Sequence, residues 1–448
     1  MKNSKPYLQK NLSLAWPMAL NALLIQSMLM IDTLLVAPLG EVSVAAMGIA
    51  ATIVAASLGI ETAICNGVQL IVGRAYGSRN KDNLVMAFWV GLFINVSASL
   101  LLFFMIIFFG SDLVAILTND AELIKLVESY LDITKYIILI TAYTQICISF
   151  YNGCGITKLP LMAYAIEIPA NAILSYLLIN GYGEFNGLGV VGAAWGSLAA
   201  IFLRTVFLYV IMKTDKNLDL TYPKERLFWT EIKPQLEEIL PIAANFFVLF
   251  IGASVYQLLF AQLDLSSFVA ITLIFPWFRI GTQFVAAWAH ASAINISQAI
   301  GEKDTEHLKI FITACRQATI ALTIVIALLF LILSQNILLI YPTIEPETQT
   351  ALYIIAPIYI ILPIFRGYNS VSANILRALG DSQRALIVNF VAQWMIALPL
   401  CALLILYFEV SVFWAFGMML LEELLKIFHF SKYTKLNLER IKYSVVST

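Results

Sequence analysis

Pro17-Met18-Ala19-Leu20-Asn21 opens the first apolar segment of this 448-residue chain, and Pro241-Ile242-Ala243-Ala244-Asn245 opens the seventh, 224 positions on. Arg74-Ala75-Tyr76-Gly77 through Leu84 returns as Gln298-Ala299-Ile300-Gly301 through Leu308 at the same displacement. Gly155-Ile156-Thr157-Lys158 corresponds to Gly380-Asp381-Ser382-Gln383, displaced by 225. Three matches in register predict two homologous lobes. Membrane proteins built from such repeats place substrate and ion sites where the repeats meet, and move by rocking one repeat against the other.

Composition predicts an integral membrane protein. Sixty per cent of residues are hydrophobic and 12% charged, with a mean hydropathy of +0.86, outside soluble proportions. Windows of about 20 apolar residues predict twelve helical spans, near 14–39, 44–73, 84–109, 124–152, 159–181 and 187–212, then 238–263, 266–299, 310–340, 350–377, 384–408 and 411–431. Residues 1–212 form the N-terminal lobe, 213–237 a linker, and 238–448 the C-terminal lobe with a tail. Most of the 27 Lys and Arg fall on one side: Lys2, Lys5 and Lys10, Arg74 to Lys81, Lys158, Lys213 to Lys233, Lys303 and Lys309, Arg377 and Arg384, and Lys426 onward. The opposite loops hold Lys125 among acids such as Glu41, Asp120 and Glu184. By the positive-inside rule both termini are cytoplasmic, which an odd number of spans would forbid. The linker mixes Pro223, Pro234 and charges, as a cytoplasmic connection with a short surface helix would. The first apolar run is too long for a cleavable signal. Five cysteines with no C-x-x-C pair read as small apolar residues.

Ionisable groups at bilayer depth are expensive and so mark candidate sites. The N-terminal lobe offers Asp32, with Thr33 beside it, Glu61 and Glu167. Glu167, Asn171 and Ser175 recur every four residues on one helical stripe, and Pro169 is expected to interrupt that helix and free backbone carbonyls. A carboxylate with amide and hydroxyl oxygens suits H+ or Na+, since hard cations take oxygen ligands and burial disfavours a charged carboxylate. The structural alternatives are an Asp32–Lys135 ion pair, a cap by Glu167 at the Pro169 break, a packing partner for Glu61, and inter-helix bonding by the stripe. The C-terminal lobe carries Arg279 and Arg366, with Glu422 and Glu423 as counter-charges and a further Glu422–Lys426 pairing at i,i+4. Tyr256 is the repeat mate of Asp32.

Leu14-Ala15-Trp16-Pro17 leading to Asp32-Thr33, Val72-Gly73-Arg74-Ala75-Tyr76-Gly77, Asn180-Gly181 with Gly187-Leu188-Gly189-Val190-Val191-Gly192-Ala193-Ala194, and Leu376-Arg377-Ala378-Leu379-Gly380-Asp381 resemble the multidrug and toxic compound extrusion (MATE) family across essentially the whole chain. The resemblance implies two six-helix bundles around a central cleft, alternating access, and export driven by H+ or Na+. By position Asp32 matches the coupling aspartate of one branch of the family, Asn171 matches its span 5 partner, and Ser197 stands where a threonine is usual. Ser175 replaces a second aspartate of that branch, while Leu249 and Arg366 stand where another branch has Glu and Asp. The resemblance therefore puts coupling on Asp32. With the second span 5 carboxylate missing, H+ is expected rather than Na+.

Family members usually export amphipathic organic cations, and Glu61, Glu167, Tyr256, Arg279 and Arg366 are the cavity candidates; the two arginines leave anionic or zwitterionic substrates open. The expected partners are the lipid bilayer of a bacterial inner membrane and small-molecule substrates, with the protein a monomer and no nucleic acid involved. A lipid-linked oligosaccharide flippase of the same superfamily is the alternative. With three histidines and no H-E-x-x-H or G-x-S-x-G, neither an enzyme nor a cofactor or metal is expected beyond the coupling ion.

Overall fold

The computed structural model describes residues 5–215, 220–222 and 227–446. Lys2, Pro223, Lys224 and Arg226, used above for orientation and the linker, lie outside the described residues. Helices account for nearly all of it: α1 (Lys5–Val36), α2 (Glu41–Gly77), α3 (Lys81–Leu117), α4 (Ala121–Gly153), α5 (Lys158–Asn180), α6 (Val190–Thr214), α7 (Phe228–Phe260), α8 (Leu265–Gly301), α9 (Thr305–Gln335), a one-turn α10 (Ile337–Ile340), α11 (Pro346–Ala378), α12 (Ser382–Phe390), α13 (Leu398–Leu406) and α14 (Val412–Val446). A π-helical segment, Val391–Ala397, joins α12 to α13 in one span. Pro399, at the start of α13, has no N–H to offer the preceding turn, and the amide of Leu398 bonds instead to Gln393.

Among the described residues eleven helical segments are long and apolar enough to cross a membrane. The twelfth, α14, brings Glu422, Glu423 and Lys426 into its apolar stretch. Leu101, Phe104 and Phe108 of α3 and Leu328, Leu329 and Ile332 of α9 are exposed, a surface fit for hydrocarbon and not for water.

The repeat is written into the backbone. The α2 and α8 helices each have 37 residues and begin 224 positions apart; α4 and α11 each have 33 and begin 225 apart. Arg79 and Lys303, repeat mates closing α2 and α8, both take positive φ, as do Gly155 and Gly380 after α4 and α11. Left-handed backbone ends a helix by turning its last amides onto orphan carbonyls, as Arg79 N–H does to Tyr76 and Lys303 N–H to Ile300. N-caps follow local chemistry: Asn80, Asp120 and Asp264 accept from backbone amides of α3, α4 and α8.

By its contacts the chain divides into two compact bodies, Leu20–Leu240, and Met1–Ala19 with Pro241–Thr448. The divisions fall inside the first Pro-Met-Ala-Leu-Asn motif and at Pro241. They differ from the sequence boundaries by sending residues 1–19 to the second body and 213–240 to the first. In the first body α2 packs on α3 and α4, and α5 on α6; in the second α8, α9 and α14 pack on α11. The start of α7 lies on α2, where Arg74 pairs with Glu238 and a side chain on Gly67 would strike Ile239. The start of α1 lies on α8 in the same manner: Asn11 donates to Ser292 Oγ at 3.1 Å and accepts from Asn295 at 2.9 Å. Among the described residues of the linker the helical part, from Phe228 onward, is continuous with the seventh span.

A two-residue hairpin, β1 (Gly181–Tyr182) with β2 (Phe185–Asn186), connects α5 and α6 and pairs Gly181 with Asn186. Gly192-Ala193-Ala194-Trp195-Gly196 then lays α6 against α5. A side chain on Gly192 would meet the backbone of Leu178, and one on Gly196 would meet Ser175. Small residues four apart allow this backbone approach within a membrane. It brings the next residue, Ser197, over the polar stripe of α5.

Candidate functional site

Four of the expected residues meet in the first body. Ser175 Oγ donates to Asn171 Oδ1 at 3.1 Å, Asn171 Nδ2 donates to Ser197 Oγ at 3.1 Å, and Ser197 Oγ donates to Asp32 Oδ2 at 3.3 Å. All four side chains are buried, and Asp32 is 7% exposed. The donors point one way along the chain and end on the carboxyl group, the orientation a carboxylate favours because it only accepts. Asp32 Oδ1 is buried with no hydrogen-bond partner among the described residues.

One expectation around Asp32 is corrected, and one structural alternative is set aside. Thr33 does not turn its hydroxyl to Asp32; it donates to Leu29 O of its own helix at 2.9 Å, because adjacent residues on a helix face different ways. Lys135 does not reach Asp32 either and pairs with Asp132, one turn earlier, at 2.7 Å.

Glu167 lies on the same stripe but belongs to a separate group. Arg204 Nη1 bonds its Oε2 at 2.6 Å, Arg204 Nη2 donates to Thr144 Oγ1 at 3.3 Å, and the guanidinium lies 4.7 Å from the Tyr164 ring centroid. Both charged side chains are almost fully buried. Glu167 therefore does not serve as a cap at Pro169, and Pro169 leaves α5 unbroken. The sequence reading leaves Arg204 unassigned within span 6; a lone arginine in Ile201-Phe202-Leu203-Arg204 was the available signal. Glu61, fully buried, accepts from Ser99 and from Thr141 at 2.9 Å. It is apart from the hydrogen-bond chain on Asp32.

The second body holds a cavity of about 680 Å3 between α7, α8, α11, the π-helical segment and α14. Tyr256, Arg279 and Arg366 all line it, so these candidates do converge. Arg366 Nε bonds Glu423 at 3.1 Å, and Lys426 bonds Glu422 at 2.5 Å and Glu423 at 3.7 Å. Tyr256 donates to the other oxygen of Glu422 at 3.0 Å, and Asn369 to the other oxygen of Glu423 at 2.9 Å. Lys426, counted above as a flanking charge, is instead 3% exposed and held within the body by these carboxylates. Arg377, read as a flanking charge, lines the cavity as well.

The MatE family model matches residues 17–177 and again 241–403. Curated relatives include the uncharacterized transporter YisQ of Bacillus subtilis (strain 168), 21% identical over 87% of this chain and 86% of its own length. A probable multidrug resistance protein NorM of Rhizobium meliloti (strain 1021) is 22% identical over 81% and 79%. Among solved structures, a MATE protein in the bent conformation superposes with a TM-score of 0.89 at 15% identity, covering 98% of this chain and 97% of that one. A MOP-superfamily transporter of Pyrococcus furiosus Vc1 (DSM3638), described by a "reverse polarity of binding pocket", gives 0.85 at 15% identity over 97% and 96%. With both repeats matched in order, on a fold of two bodies and membrane-length helices, the chain belongs to the MATE family of multi-pass membrane transporters.

Proposed function

We propose that this protein is an efflux antiporter that exports small amphipathic organic molecules in exchange for H+, by alternating access of its two lobes, with Asp32 as the coupling carboxylate. The observation that carries this reading is the Asp32 carboxyl: buried, held at Oδ2 by Ser197, and free at Oδ1 among the described residues. A proton added at Oδ1 leaves the donor chain Ser175–Asn171–Ser197–Asp32 intact. It also removes a charge that low dielectric penalises. No described cation pairs with Asp32, and in this reading a bound proton neutralises it. Na+ would need several further oxygens, and those of Asn171 and Ser197 are already engaged.

The drive is adequate, because one charge crossing 100 mV releases about 2.3 kcal/mol. The relatives named as probable multidrug resistance proteins support the substrate class, and their bacterial sources support a cytoplasmic membrane of a bacterium. The distribution of Lys and Arg supports cytoplasmic termini. The protein acts as a monomer in this reading, with no cofactor other than the coupling ion.

Replacing Asp32→Asn tests the assignment. The variant is expected to express and fold while gradient-driven efflux of ethidium from cells is lost. In energised inverted vesicles without Na+, drug addition should dissipate the proton gradient for the native protein and not for Asp32→Asn. Normal efflux by the variant, or a strict need for Na+, overturns the reading. A flippase for lipid-linked oligosaccharides is the second reading, favoured by the surplus of cationic side chains in the second body's cavity. Transport that persists after the proton gradient is collapsed would speak for it.

A further inference from the structure

The cavity of the second body has used up its acids. Glu422 gives one oxygen to Lys426 and the other to Tyr256; Glu423 gives one to Arg366 and Lys426 and the other to Asn369. Four cationic side chains, Arg279, Arg366, Arg377 and Lys426, face these two carboxylates. Arg366 spends only its Nε on Glu423. The guanidinium groups of Arg279 and Arg377 make no hydrogen bond or ion pair among the described residues, and Arg377 Nε is buried without a partner. The open positions on the wall are thus guanidinium donors. Among the lining acceptors that are buried without a partner are two neutral amide oxygens, Asn369 Oδ1 and Gln393 Oε1. Phe250, Phe275 and Phe278 supply an apolar, aromatic stretch of the same wall.

We propose that this cavity binds the acidic head of an amphipathic organic anion, a carboxylate, sulfonate or phosphate ester, with Arg279 and Arg377 as the unpaired guanidinium donors at different depths along its wall and the phenylalanines against its apolar body. A guanidinium presents paired N–H groups in the geometry of such oxyanions. An organic cation, the class expected from the resemblance, would find no free carboxylate here, and would have to displace Lys426 or Arg366 to reach one. The proposal rests on the transporter reading for its purpose and not on Asp32 for its geometry.

Two dyes with the same ring frame and opposite charge test it: fluorescein, an anion, and rhodamine 6G, a cation. Their anisotropy is followed with the full-length protein in phosphatidylcholine nanodiscs, at equilibrium and without any gradient, so failure of proton coupling would leave this measurement intact. Fluorescein is expected to bind about tenfold or more tightly than rhodamine 6G, and Arg279→Gln with Arg377→Gln to remove that advantage. Arg279→Lys with Arg377→Lys keeps the charge and should retain most fluorescein binding, which separates loss of the site from loss of fold. Phosphatidylglycerol added to the discs distinguishes the source of the anion. Competition with fluorescein in the native protein alone identifies a lipid headgroup, and no competition identifies a free solute. Equal binding of both dyes, or fluorescein and phosphatidylglycerol binding indifferent to Arg→Gln, overturns the proposal.

Discussion

The two bodies share a backbone plan and oppose each other in chemistry. The helices α2 and α8, and α4 and α11, match in length and in the left-handed turns that close them, at displacements of 224 and 225 residues. In the first body Asp32 and Glu61 are buried carboxyls touched by hydroxyl donors, with no ion pair among the described residues. In the second, Glu422 and Glu423 are fully committed to cations, a phenol and an amide, and further arginines remain. Helix ends depend on left-handed turns, which both repeats keep at Arg79 and Lys303 and at Gly155 and Gly380. Polar side chains in the interior are bound by no such rule, so they diverge while the scaffold stays.

The sharpest way to break the comparison is to unbalance each body's buried ion pairs. Arg204→Ala leaves Glu167 alone in the first body, and Lys426→Ala leaves Glu422 and Glu423 with less compensation in the second. Each is expected to cost about 3–5 kcal/mol, read as a lower melting temperature and poor yield after extraction. The second site Glu167→Gln should recover part of the loss in Arg204→Ala. Unchanged melting in Arg204→Ala would mean that the pair is solvated in the membrane, and the contrast with Asp32 would weaken.

A smaller effect is expected from Gly196→Ala. The added methyl meets Ser175, so α6 must move off α5, at about 1–3 kcal/mol. The donor chain on Asp32 should open with it, and efflux should fall more than stability does. The equivalent change at Gly48, whose added carbon would meet nothing, should leave both untouched, and a drop there would void the packing argument.

The smallest change contrasts two hydroxyls near one acid. Ser197→Ala removes the donor on Asp32, costing about 0.5–1.5 kcal/mol, and should shift the pH dependence of efflux. Thr33→Ala removes a hydroxyl that serves only its own helix and should leave the pH profile in place. Identical profiles in the two variants would remove Ser197 from the site.

Much of this was legible without coordinates. Eleven of the twelve expected spans, the doubled Pro-Ala-Asn and Gly motifs and the stripe Glu167–Asn171–Ser175 depend on local periodicity and turn chemistry, which neighbouring residues fix. The stripe is one face of α5 as expected, since spacing by four settles that. Its division between two partners was not legible: Asn171 and Ser175 join Asp32, while Glu167 turns to Arg204, 37 residues on. Nor was the burial of Lys426 legible, because a lysine at the end of an apolar run reads as a flanking charge until the helix is seen to continue to Val446. The sequence by itself determined the helical spans, the turns between them and the acidic groups and Asn-Ser stripe set within apolar runs. Only the tertiary structure decided which of those groups meet, because the rotation of each helix about its axis is set by close packing at Gly192, Gly196 and their neighbours, not by any signal within one span.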